Sequence, residues 1–127
     1  MRVLIVEDEV LLLKTLEFKL KKEGYEVFVS KNGLDAISDI VLHNPDFIVT
    51  DIMMPVLNGL EVVSYVRNDC KSNIPVIVLS SAKHQNIVLQ AMDLGASDFI
   101  AKPFSPDELV SKIKLLSSNF NKHIALA

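Results

Sequence analysis

The sequence predicts an α/β fold, a doubly wound five-stranded parallel sheet with five helices covering its two faces. Short β-rich runs alternate with longer stretches of helical period along the chain, without internal repeat or low-complexity segment. Runs such as VLIV and VIVL are apolar on both faces, which suits strands covered by helices on each side better than a half-solvated sheet. The 127 residues, 50% of them hydrophobic, make one domain able to fill a core without a metal or disulfide staple.

Val3 to Val6 reads as a first, buried strand. Leu12, Leu13, Leu16 and Leu20 then line one helical face as far as Gly24, which suits a helix C-terminus, and leave Leu11 and Phe18 aligned on the opposite side. Tyr25 to Val29 makes the second strand, with a helix near Leu34 to Leu42. Asp46 to Thr50 makes the third, followed by a Met-Pro-x-x-x-Gly loop and a helix over Asn58 to Asn68. Pro75 to Ser80 is the fourth strand. In the helix after it, Gln85 to Leu94, the spacing turns Ile87, Ala91 and Leu94 to the core and makes Val88 and Met92 a second stripe near Phe99. Asp98 to Ala101 is the fifth strand and Pro106 to Leu116 the last helix. The folded domain is expected over residues 1–118, with 119–127 a short C-terminal tail.

The economical order for five such strands is the flavodoxin-like 2-1-3-4-5, whose switch point lies between strands 1 and 3 and places a site at their carboxyl ends. Glu7 and Asp8 follow strand 1 and Asp51 follows strand 3, so three carboxylates from distant parts of the chain converge. A glycine-rich phosphate loop is absent, and Glu7-Asp8-Glu9 would repel a nucleotide. Two carboxylates ~4 Å apart repel by about 4 kcal/mol at an effective dielectric near 20, so the cluster calls for a cation. With oxygen ligands only, Mg²⁺ or Mn²⁺ fits better than Ca²⁺ or Zn²⁺. Glu9 is read as a solvated helix N-cap. Ser80 closes strand 4 and Lys102 follows strand 5; with a cation they make a receptacle for a phosphoryl group, and Asp51 its nucleophile.

The remaining residues exclude more than they suggest. A net charge of −3 argues against nucleic acid binding. The acidic residues that follow a four-residue apolar run at the N-terminus fit neither a secretory signal nor a membrane span, and the single cysteine, Cys70, suits a reducing compartment, so a cytoplasmic protein is expected. His43, His84 and His123 lack ligand spacing and read as surface residues, and Cys70 reads as inert.

Together these pieces resemble a known family, the response-regulator receiver domains of bacterial two-component signalling. The likeness runs from residue 2 to about 117 through Glu7-Asp8, the segment Asp51-Ile52-Met53-Met54-Pro55-Val56-Leu57-Asn58-Gly59, Ser80, Gly95 to Phe99, and Lys102-Pro103-Phe104. It implies that Asp51 accepts a phosphoryl group from the phosphohistidine of a sensor histidine kinase or histidine phosphotransfer protein. It implies that Glu7, Asp8, Asp51 and the Met53 backbone carbonyl hold Mg²⁺, that Ser80 and Phe99 switch together, and that Lys102-Pro103 is a cis peptide. It also makes helix 4, strand 5 and helix 5 a face for a downstream protein or a second copy, with Val88, Met92, Asp98, Glu108 and Lys112 as candidates. At the pocket rim, Met53 and Ala82 lack side chains that orient water, which predicts slow hydrolysis of the aspartyl phosphate.

Two positions depart from the family pattern. Ser81 competes with Ser80 for the switch hydroxyl, but Ser80 has the motif's separation from Lys102, and strand alternation turns Ser81 away. Glu7 stands where a shorter Asp is common. The expected function is a phosphorylation-activated switch rather than a turnover enzyme. Its alternatives are a haloacid-dehalogenase-type phosphatase or phosphotransferase, for which Met53 occupies the place of the second Asp, and a receiver-like scaffold that is never phosphorylated.

Overall fold

Five strands run β1 (Arg2–Val6), β2 (Glu26–Ser30), β3 (Phe47–Asp51), β4 (Val76–Ser81) and β5 (Asp98–Lys102). A computed structural model of the chain describes residues 1–54, 56–81 and 85–126, with side-chain surroundings as far as residue 120. The sheet has the order β2-β1-β3-β4-β5, every pair parallel, as the sequence predicts. In register, Val6 lies beside Ser30 and Thr50, Asp51 beside Leu79, and Ser81 beside Lys102, so the carboxyl ends form one rim.

The period of two divides each inner strand between two cores. Val3, Ile5, Phe47, Val49, Ile77 and Leu79 pack under α1 (Val10–Lys22) and α5 (Pro106–Leu126), where Leu13, Leu16, Leu20, Leu109 and Ile113 close the layer. Leu4, Val6, Ile48, Val76 and Val78 face the other way, toward α2 (Gly33–His43), α3 (Gly59–Ser64) and α4 (Gln85–Leu94). Both faces of β1 and β3 are therefore dry, which is why these strands carry no alternation of polar and apolar residues.

Local chemistry sets the helix ends. Gly24 follows α1 with φ 97°, a left-handed position suited to glycine. The Asn32 side chain accepts the Asp35 N–H at the start of α2, and Asn58 accepts the Glu61 N–H at the start of α3. The helix expected over Asn58 to Asn68 divides: after α3 the chain widens into a π-helical turn, Tyr65–Asp69. Arg67 of that turn is half-buried. Its Nε donates to Gly95 O at 2.8 Å, Nη1 to Ser72 O at 2.9 Å and Nη2 to Ser97 Oγ at 3.4 Å.

Three expectations are corrected. Val88 is 7% exposed and belongs to the core with Ala91, so it is not on the outer face of α4; Leu89, Met92 and Leu94 are exposed there instead. The helix is rotated so that Val88 and Ala91, one turn apart, seat against the sheet while Ile87 is only partly covered. Leu94 thus leaves the core assigned to it. α5 continues to Leu126 rather than ending at Leu116. On α1, Leu11 and Phe18 are 79% and 71% exposed, opposite the buried leucines. His43 is half-buried, stacked on Phe28 with ring centroids 3.9 Å apart; His84 lies outside the described residues, as does the side chain of His123. Cys70 is free and exposed.

Candidate functional site

Glu7 leaves β1 at the carboxyl rim and is fully buried. Its backbone N–H donates to Ser30 O at 3.0 Å, which holds the residue against β2. Its side chain is fastened at both oxygens: Oε1 accepts the Glu9 N–H at 3.2 Å and Oε2 accepts Lys102 Nζ at 3.0 Å. Asp51, the last residue of β3 and 7% exposed, accepts the same ammonium on Oδ2 at 3.2 Å. Lys102 closes β5, so strand order alone brings this cation across β3 and β4 to the acids of β1 and β3. The peptide after it, Lys102-Pro103, is cis.

Asp8 is exposed and completes the cluster: one carboxylate oxygen from each of Glu7, Asp8 and Asp51 lies within 4.8 Å of the others. Of the three acids, Glu7 and Asp51 share the Lys102 ammonium at hydrogen-bond distance. Burial, and then the negative charge of Asp51, push the Glu7 carboxyl up to about 7 against the lowering effect of Lys102 and the Glu9 N–H. Burial pulls Lys102 down, but the hydrogen bond to Glu7 and the charges of Asp51 and Glu7 outweigh it and hold the ammonium above its ordinary value. The donor set is all oxygen, partly open to solvent and short of positive charge, which fits a hard divalent cation such as Mg²⁺ or Mn²⁺. Glu9, expected as an N-cap, occupies that position on α1 without a side-chain capping bond; its Oε2 instead lies 4.0 Å from Lys102 Nζ.

The loop after Asp51 is pressed against the site. The Gly59 N–H donates to Ile52 O at 2.8 Å, and a Cβ on Gly59 would stand 2.3 Å from Asp51 O. The glycine of the Met-Pro-x-x-x-Gly loop is thus required by close backbone approach. Met53 is exposed at the rim; Pro55 and Ala82 lie outside the described residues.

Ser80 is buried, and its Oγ donates to Ser81 O at 3.0 Å, along its own strand. Phe99 is 43% exposed on β5, outside the core, beside Asp98, whose Oδ1 accepts the Phe99 N–H at 2.8 Å. Asp98 and Lys112 form an ion pair at 2.8 Å between β5 and α5. Glu108 is exposed on α5 and makes no ion pair among the described residues. Sequence reasoning missed Leu89 on this face and the approach of Glu9 to Lys102; the second had no local signal, because the two residues are distant in sequence.

No described helix is long and apolar enough to cross a membrane. Three solved structures are close in form. The signal receiver domain of a signal transduction histidine kinase from Syntrophus aciditrophicus is 32% identical over 93% of this chain and 90% of that one, with TM-score 0.83. The receiver domain of the Francisella response regulator 1452 is 29% identical over 94% and 98%, with TM-score 0.84. The chemotaxis protein CheY4 of Vibrio cholerae is 27% identical over 91% and 97%, with TM-score 0.83. The response regulator receiver domain family matches residues 3–114, from the first buried strand into α5. A match of that extent, on a sheet whose rim gathers Asp51, Glu7 and Lys102, makes this chain a member of the response-regulator receiver domains, the phosphoacceptor switches of two-component signalling.

Proposed function

We propose that Asp51 is the phosphoacceptor and that it takes the phosphoryl group of a phosphohistidine, carried by a sensor histidine kinase or histidine phosphotransfer protein, in a Mg²⁺-dependent reaction. The observation that carries this reading is Lys102 Nζ, held 3.2 Å from Asp51 Oδ2 and 3.0 Å from Glu7 Oε2 beside the converging carboxylates. Asp51 supplies the attacking oxygen. Lys102 pairs with the oxygens of the incoming group, and Ser80, at the end of β4, turns from Ser81 O to donate to one of them. Glu7, Asp8, Asp51 and the Met53 carbonyl would hold Mg²⁺, which when bound offsets the charge of the acids and of the phosphoryl oxygens.

The output face is α4, β5 and α5. Met92, Phe99, Asp98, Lys112 and Glu108 belong to it, and Leu89 takes the place first given to Val88. Movement of Ser80 toward the phosphoryl group draws Phe99 inward and changes what this face presents to a downstream protein or a second copy.

The test is to incubate the protein with Mg²⁺ and acetyl phosphate and measure its mass. One phosphoryl group adds about 80 Da; Asp51→Asn should abolish the gain, and chelation should reduce it sharply. Undiminished labelling of Asp51→Asn would reject the assignment.

A further inference from the structure

A cavity of about 320 Å³ opens beside the acidic site, lined by Glu9, Leu12, Lys102, Pro103 and Phe104. Lys102 stands in its wall and also reaches Asp51 at 3.2 Å, so the cavity lies one side chain away from the position where a phosphoryl group meets Asp51. In-line transfer sends the leaving group away from the attacking oxygen and needs room for it. Leu12, Pro103 and Phe104 form an apolar wall, and the charges facing it are the Lys102 ammonium and the Glu9 carboxylate. The ammonium is held by Glu7 at 3.0 Å and Asp51 at 3.2 Å, whereas Glu9 is 4.0 Å away with a side chain 65% exposed. Glu9 is therefore the more loosely paired and more exposed of the two charges at the cavity.

We infer that this cavity receives the leaving group of the phosphodonor and that Glu9 is a specificity-determining residue, selecting donors whose leaving group is cationic or neutral over donors whose leaving group departs as an anion. The inference rests on Asp51 being the phosphoacceptor. With acetyl phosphate, an Asp51 oxygen bonds to phosphorus, the P–O bond to the acyl group breaks, and its electron pair leaves with acetate. Negative charge then grows next to Glu9 as the bond lengthens. With phosphoramidate, the P–N bond breaks and its electron pair leaves with nitrogen; the ammonium-like group, which carries its own three protons, departs as ammonia. Glu9 attracts that group from the outset. An N-phosphorylated imidazolium, the chemistry of a phosphohistidine, falls in the second class.

The test compares Asp51 phosphorylation rates with acetyl phosphate and with phosphoramidate, in Mg²⁺, for the parent chain, Glu9→Gln and Glu9→Asp. At about 5 Å in water a unit charge changes such a rate by about fourfold. Glu9→Gln should speed acetyl phosphate and slow phosphoramidate, moving the ratio of the two rates by roughly fourfold or more. Glu9→Asp should restore most of the parent ratio, and the difference between parent and Gln variant should shrink in high salt. Glu9 makes no capping bond, so the variants fold. If Lys102 merely gained freedom when Glu9 was neutralised, both donors would change together; a ratio constant within about twofold overturns the inference. Failure of both donors to label Asp51 in the parent overturns the phosphoacceptor reading itself, a separate outcome.

Discussion

Glu7 was legible as an acid at the end of a strand, but its burial was not, because burial depends on how β2 and Lys102 close over it. Its carboxyl is pushed from 4.5 to about 7 by burial and by Asp51. A native state that binds the proton more tightly than the unfolded chain loses stability as pH rises between those two values. Metal-free protein should therefore weaken by about 3 kcal/mol between pH 4.5 and pH 7.5 if the whole shift is expressed. Urea unfolding in EDTA measures it, and Glu7→Gln, a neutral isostere, should flatten the slope; a variant with the parent's slope would place the titration elsewhere. Lys102 is charged in both states over this range and adds no slope of its own. Met53 offers a kinetic prediction. It stands exposed at the rim with a side chain that cannot orient water, so Met53→Asn should hasten loss of phosphate from Asp51 by roughly tenfold, the value of one oriented hydrogen bond of ~1.4 kcal/mol. Following phosphate release after removal of donor checks it, and an unchanged lifetime counts against control by this side chain.

Among the elements, strands were the most readable, since VLIV and VIVL can satisfy two dry faces in no other way. Helix phase was harder. The apolar positions of α4 admit two stripes, and the choice between them depends on where the sheet and α3 lie, which no window of ten residues contains; Val88 and Leu94 were exchanged for that reason. The π-helical turn after Ser64 left no periodic trace either, whereas the extension of α5 did, since Leu116, Phe120 and Ile124 continue the spacing of Leu109 and Ile113. Gly59 shows how tertiary contact reverses an element's intrinsic preference. Alanine in a helix is favoured over glycine by about 1 kcal/mol, yet a Cβ here meets Asp51 O at 2.3 Å. Gly59→Ala should destabilise the protein, by about 2 kcal/mol or more, and slow Asp51 phosphorylation. Chemical denaturation together with the acetyl phosphate assay tests both; a stabilised variant would show that the loop yields freely.

For the molecule as a whole, the parallel order gathers every strand's carboxyl end on one rim and leaves the apolar residues Leu89, Met92 and Phe99 on the α4 and β5 side. Sedimentation with and without beryllofluoride, a phosphoryl mimic, should show a dimer forming only with the mimic, and Met92→Glu should prevent it. A monomer under both conditions would assign the face to a different partner. The position of the site was readable from topology, whereas the tilt and anchoring of the helices were not. Arg67 gives α4 one fastened end. Its guanidinium joins the π-helical turn to Gly95, Ser97 and Ser72, so the carboxyl end of α4 is tied to the far rim while its amino end starts at Gln85, five residues past Ser80. A rod of ten residues is ~15 Å long. With that end held, a tilt of about 10° would carry the Gln85 end by about 2.5 Å, so the arginine sets the pivot for any movement of α4 relative to the rim.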